Sequence, residues 1–234
     1  MSAVPAAATL DHLVVLAPSL ASGVAWAEAT LGVTPGPGGE HPLMGTHNRL
    51  LRLRNGEGQP GAAYLEIIAI NPAASPALVA PARRWFDMDD PALRERVAQT
   101  GPQLVHWVAR VPALAAALQA WQGLGIDRGE ARAASRPTPG GLLQLQWQIS
   151  LRPDGQRLFD GCLPTLIEWG PHHPTATMAD SGLTLQALAL QHPQAAQLQA
   201  ACHAIGLQAV AITDGPARLS AQLGTPRGPL TLHS

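Results

Sequence analysis

The sequence predicts an α+β fold in which paired β-α-β-β-β modules form one curved mixed sheet. Three observations carry this. First, Thr9–Pro18 (TLDHLVVLAP) and Gln103–Pro112 (QLVHWVARVP) share one layout, an apolar run with a histidine six residues before a closing proline. Second, each is followed by an Ala-rich stretch that ends in Leu-Gly, Ser19–Gly32 and Ala113–Gly125. Third, each then reaches a short strand-like run that holds one glutamate, Glu66 in the first copy and Glu168 in the second. Matched spacing of the same residue types within one chain is the mark of a repeated structural unit.

The elements follow in order. Leu10–Ala17 is aliphatic enough for a strand covered on both faces, with His12, Val14 and Leu16 on one of them. Leu20, Val24, Ala27 and Leu31 recur at helical spacing, with Ser19 or Ser22 as cap and Gly32 as stop. Pro35–Gly39 reads as a Gly/Pro loop, Arg49–Arg54 as a strand and Asn55-Gly56 as a turn. Ala63–Ile70 completes module one, residues 9–70. A linker over 71–101 opens Pro/Ala-rich, carries Trp85-Phe86, and holds a helix at Asp90–Gln99. Module two, 102–174, runs strand Leu104–Val111, helix Ala113–Gly125, a strand around Arg128–Ala134, strand Leu142–Leu151 and strand Leu163–Trp169. A third, shorter β-α-β-β-β-like module over 182–234 has Gln186 where the others have histidine, and no glutamate in its last strand. It is read as structural.

Composition narrows the function. Hydrophobic residues make up 46% and charged ones 13%, which excludes a mostly disordered chain. A net charge of −1 gives no reason to expect nucleic acid or an anionic membrane. All 15 basic residues are Arg, so Schiff-base chemistry on a lysine is absent. Cys162 and Cys202 have no metal-type spacing. The N-terminus has no leader pattern and no run is long enough to span a membrane, so a cytoplasmic protein is expected.

Chemistry concentrates at a few positions. A carboxylate such as Glu66 among isoleucines is costly to bury unless something meets its charge. His12 and His106 stand at equivalent places in the two copies. His41, His47 and Asn48 lie in a Gly-flanked segment entering a strand and are candidate substrate-binding residues, turn chemistry being the alternative. Trp85 and Phe86 are candidates to cap a pocket or to cover the core. His172-His173-Pro174 reads foremost as an exposed turn, with a supporting contact behind the site or a substrate contact as the other choices.

Leu10-Asp11-His12, His41-Pro42 with Gly45-Thr46-His47-Asn48, Tyr64-Leu65-Glu66, and Ile167-Glu168-Trp169 with His173-Pro174 together resemble the vicinal oxygen chelate superfamily, and within it the glyoxalase-like domain proteins. The resemblance covers about two-thirds of the chain. It implies a curved sheet whose concave side holds a divalent metal (Zn, Ni, Mn or Fe), with His12, Glu66, His106 and Glu168 as ligands. It further implies a lyase, isomerase or hydrolase acting on a small molecule that chelates the metal through neighbouring oxygens, with Glu168 as the proton-transferring base and Glu66 next in line. Two alternatives stay open at this level. One is an Fe(II) dioxygenase using His12, His106 and Glu168. The other is a metal-free module that binds a small molecule. The expected partner is a small-molecule substrate, and the chain is expected to be a monomer or a homodimer.

Overall fold

The computed structural model describes residues 7–74 and 83–234. The first six residues, where the leader was sought, and the Pro/Ala-rich part of the linker at 75–82 lie outside them. The first run of elements is β1 (Thr9–Leu16), α1 (Leu20–Trp26), β2 (Gly36–His41), β3 (Thr46–Arg54) and β4 (Pro60–Ile70). After α2 (Pro91–Thr100) come β5 (Gln103–Arg110), α3 (Leu114–Gln122), β6 (Glu130–Pro137), β7 (Gln144–Leu151) and β8 (Thr165–Trp169). The last run is β9 (Asp180–Gln191), α4 (Ala195–Ala204), β10 (Ala211–Thr213), β11 (Arg218–Thr225) and β12 (Gly228–His233).

These strands form one curved, unclosed sheet of twelve, in the order β12-β11-β9-β3-β4-β1-β5-β8-β7-β6, with β2 on β3 and β10 on β9. β1 runs parallel to β4 and β5 runs parallel to β8, while β1 and β5 pair antiparallel. The first and last strands of the two leading β-α-β-β-β runs are therefore neighbours at the centre of the sheet. The third run pairs differently. β9 takes β11 along one edge and shares its other edge between β3 and β10, leaving β12 outermost.

The two faces of the sheet are buried differently. One carries the main core, in which Leu13, Val15, Ile67 and Trp107 pack against α3 and α4 residues such as Leu114, Trp121 and Leu198. The opposite, concave face carries Val14, Leu16, Ile68, Val108, Ile149 and Ile167, covered at one end by Phe86, Met88 and the α2 residues Leu93 and Val97. Strand alternation separates the two sets, so β1 presents Val14 and Val15 to opposite sides.

Two local expectations change. The stretch read as a loop at Pro35–Gly39 is largely β2, held on β3 with Gly36 opposite Leu50 and His41 opposite Thr46. Its glycines are required by proximity: a Cβ on Gly38 would lie 2.2 Å from the Asn48 carbonyl oxygen. The first helix does start at Ser19, whose hydroxyl accepts from the Ser22 N–H in a capping box. Its last turn, Ala27–Leu31, widens to a π-turn before Gly32 stops it at φ 75°.

Candidate functional site

On the concave face a narrow pocket is lined by His12, His41, Asn48, Tyr64, Glu66 and Arg136, with Trp85, Phe86, Trp147 and Trp169 among its aromatic walls. Its chemical centre is the pair formed by β1 and β4. His12 Nε2 stands 3.6 Å from Glu66 Oε2, and both side chains are buried. Each is held from behind. The Asn48 amide donates to Glu66 Oε1 at 2.6 Å, while His12 Nδ1 donates to Asp11 Oδ1 at 2.7 Å. A carboxylate can only accept, so this contact fixes the His12 tautomer and leaves Nε2 facing Glu66. Tyr64 stacks on the His12 ring with centroids 4.6 Å apart. Burial raises the Tyr64 phenol well above its ordinary range, and the charges of Asp11 and Glu66 add to this, so it stays protonated.

Asp11 is the hidden organiser. The register of β1 against β5 slips between Leu10 and His12, a local irregularity that re-aims a side chain. Its fully buried carboxylate accepts from His12, from Trp169 Nε1 at 2.9 Å and from His173 Nε2 at 3.0 Å. Burial alone would push this carboxyl up, but the His12 and His173 hydrogen bonds outweigh it and hold Asp11 well below the usual carboxylate range. His173 is thus tied into the site from behind, where the foremost sequence reading had an exposed turn. Asp11, Tyr64 and Arg136 were not singled out as site residues. Asp11 and Tyr64 had a sequence signal, their places in the motifs of His12 and Glu66, and Arg136 had none.

The substrate-binding candidates divide. His41 and Asn48 face the pocket, with His41 Nδ1 3.0 Å from the Thr46 hydroxyl and Nε2 3.4 Å from the Asn48 amide nitrogen. Burial pushes His41 down to about 3, and Arg136, His12 and His47 add to this, so it is neutral. His47, adjacent on β3, alternates to the other side and is not among the pocket residues. Trp85 packs edge-on against His41 and Phe86 tilts over His106.

The other two side chains assigned to a metal do not join the pair. His106 lies opposite Val14, whereas His12 lies opposite Val108, an offset of about 7 Å along the strands. Phe86 seals it in. Its Nδ1 donates to the Gly161 carbonyl at 3.2 Å, and Nε2 accepts the Thr165 N–H at 3.2 Å, leaving no free nitrogen. Burial and the nearby Arg128 and Arg157 hold His106 well below the usual histidine range. Glu168 differs in parity. Ile167 and Trp169 line the pocket, so Glu168 points to the helix side, where its carboxylate accepts the Leu114 N–H at 2.6 Å and caps α3. Among the described residues no three His, Cys, Asp or Glu side chains are placed to hold a metal ion. The donor set expected for a four-ligand cation is therefore not assembled, and neither is the His12, His106 and Glu168 triad.

Comparison with known proteins identifies the fold's relatives. The family model for the glyoxalase-like domain matches residues 10–206. A hypothetical protein from Staphylococcus aureus superposes with a TM-score of 0.59 at 12% identity, over 90% of this chain and 87% of that one. Methylmalonyl-CoA epimerase from Mycobacterium tuberculosis matches at 15% identity and TM-score 0.39, covering 76% and 96%. A Streptomyces coelicolor methylmalonyl-CoA epimerase variant in complex with 2-nitronate-propionyl-CoA matches at 15% and 0.41, covering 72% and 99%. No curated protein matches the chain by sequence. No helix among the described residues is long and apolar enough to cross a membrane. With the family model spanning most of its length and this sheet beneath it, the chain belongs to the glyoxalase-like domain family of the vicinal oxygen chelate superfamily.

Proposed function

We propose that the protein is an isomerase or lyase that moves a proton on a small carbonyl substrate, using Glu66 and His12 as the exchanging pair. One observation carries the reading: a carboxylate and an imidazole nitrogen face each other 3.6 Å apart in a buried, aromatic-walled pocket, each fixed by a partner behind it. At that spacing a substrate C–H beside a carbonyl can approach the carboxylate while the carbonyl oxygen meets the imidazole. Glu66 takes the carbon-bound proton as the C–H pair moves into the enol. Protonated His12 gives its Nε2 proton to the oxygen. Glu66 then returns its proton to the same carbon or to the neighbouring one, while the hydroxyl oxygen that becomes the new carbonyl hands its proton to His12 Nε2, so both groups are restored. The Asp11 contact keeps the ring in one tautomer through the cycle.

Members of the superfamily commonly use divalent metals. Of the four side chains that the sequence assigns to one, only His12 and Glu66 converge, and together with substrate oxygens these two would be the protein's share of any Zn, Ni, Mn or Fe ion. The proton exchange described here does not depend on it. A cytoplasmic setting stays part of the proposal, and the two free, buried thiols Cys162 and Cys202 fit a reducing compartment.

The test is exchange in D2O. Small 2-oxo acids and hydroxyketones are incubated with wild type, Glu66→Gln and His12→Gln proteins, and loss of the α-proton signal is followed by NMR. Wild-type exchange that is abolished in both variants is the expected result. Metal analysis of protein purified without an affinity tag runs alongside. Stoichiometric metal that disappears in the His12 variant would replace this scheme with a metal-assisted one. Tight binding without exchange in wild type would leave a binding module.

A further inference from the structure

Arg136 lies where two cavities meet. It stands on the edge strand β6, and it is the one described residue that lines both the His12–Glu66 pocket and a larger neighbouring cleft of about 310 Å³. That volume falls at the small end of the range for ligand sites, roughly 300–1,000 Å³. The cleft continues along the same side of the sheet. Its wall residue Leu50 is the cross-strand partner of Glu66, and Val33, Leu145, Pro139 and Met178 make it mainly apolar.

The guanidinium has been given room, and although the charge of Glu66 acts on it from across the pocket, no carboxylate among the described residues is in contact with it. It packs on Gly39 of β2, where a Cβ would come 2.8 Å from Cζ. Among the described residues Arg136 forms no ion pair, and its one hydrogen bond is a long contact of 3.4 Å to the adjacent Pro137 carbonyl. The contrast with Arg128 is instructive. That fully buried arginine donates to the Pro164 and Gln156 carbonyls and to the Thr165 hydroxyl, so its donors are spent on the fold. Arg136 is half-buried beside an apolar cleft with its fork unspent, an arrangement suited to a carboxylate. Trp85, which also lines the inner pocket, carries a buried Nε1–H with no acceptor among the described residues, a second donor for a substrate oxygen. Asp180, the acidic residue of the cleft wall, is already paired with Arg54.

We propose that the substrate is a carboxylate with an apolar tail, its anionic group held by Arg136, its tail in the cleft, and its reacting carbon beside Glu66 with the adjoining carbonyl oxygen at His12. The last clause rests on the proton-transfer reading; the anion site does not.

Calorimetry with hexanoate, hexanamide and acetate tests it on wild type, Arg136→Gln, Arg136→Lys and Leu50→Trp proteins, each first checked for an unchanged melting transition. Wild type should bind hexanoate at least tenfold more tightly than hexanamide. Arg136→Gln should erase that preference, Arg136→Lys should keep part of it, and Leu50→Trp should weaken hexanoate several-fold while leaving acetate unchanged. Equal affinity for acid and amide in wild type, or an undiminished preference in Arg136→Gln, overturns the proposal. Because the readout is binding, the two readings fail separately. Arg136-dependent hexanoate binding without α-proton exchange in any probe would sink the proton-transfer scheme and leave the anion site standing. Exchange without Arg136-dependent binding would do the reverse.

Discussion

The two copies of the histidine–glutamate layout have the same sequence grammar and opposite fates. In the first, His12 and Glu66 face each other across β1 and β4, with nitrogen and oxygen directed into the pocket. In the second, His106 spends both nitrogens on Gly161 and Thr165, and Glu168 caps a helix. The difference comes from register and parity, two features invisible in spacing alone. A shift of one residue turns a strand side chain to the other face, and a bulge at Asp11 re-aims the β1 side while β8 offers Trp169 instead of Glu168. The first copy leaves its histidine and glutamate facing a pocket, and the second spends both on the fold.

That contrast can be broken by substitution, beginning with the largest effect. Glu66→Gln should lower kcat/KM on an accepted substrate by about 10²–10⁴-fold, the usual yield of a positioned proton-transfer group, with little change in melting temperature. His106→Ala should do the opposite. Removing a fully buried ring leaves the Thr165 N–H and Arg128 short of a partner and should cost about 2–4 kcal/mol of stability. Activity per folded molecule should stay within a few-fold, and urea unfolding beside steady-state kinetics separates the two outcomes. A thousand-fold loss of turnover in fully folded His106→Ala would return that residue to the site.

The third prediction uses pH. His106 and His41 are both held below the ordinary histidine value, mainly by burial, and His41 reaches about 3. The unfolded chain therefore takes up protons near pH 6.5 while the folded one does not. Stability is whole above that pH and should fall as pH drops from 6.5 towards about 3, by about 1.4 kcal/mol per unit for each such histidine. Asp11 is depressed, so its contribution is whole above the ordinary carboxylate value of 3.8 and is lost as pH falls below that; between pH 7.5 and 5.0 it stays constant. Urea midpoints at pH 7.5 and 5.0 should differ clearly in wild type and less in a His106→Gln protein. The smallest effect is expected at Glu168→Ala, where loss of the α3 cap should cost about 1 kcal/mol and leave turnover unchanged.

Much of this was legible in the sequence. The repeat around His12 and His106 foretold two β-α-β-β-β runs and a curved α+β sheet, and Glu66 among isoleucines pointed to a partner that would meet its charge. Of the three residues read as substrate-binding candidates, Asn48 and His41 face the pocket, whereas His47 shares their motif without sharing their face. What escaped notice depends on tertiary contact. Arg136 reaches the site from an edge strand of the second half, and nothing in Ser135-Arg136-Pro137 announces a cavity. Likewise, the roles of Trp169 and His173 follow from one buried carboxylate more than 150 positions earlier.

The Asp11 cluster also bears on how the protein is made. A nascent chain that has emerged only as far as β4 already contains His12 and Glu66, but not the Trp169 and His173 donors that share the aspartate with the imidazole. Domains assemble as the chain leaves the ribosome at about 5–20 residues per second. The full Asp11 cluster therefore forms late in synthesis, and a product cut short before residue 169 would carry His12 and Glu66 without the brace that sets them.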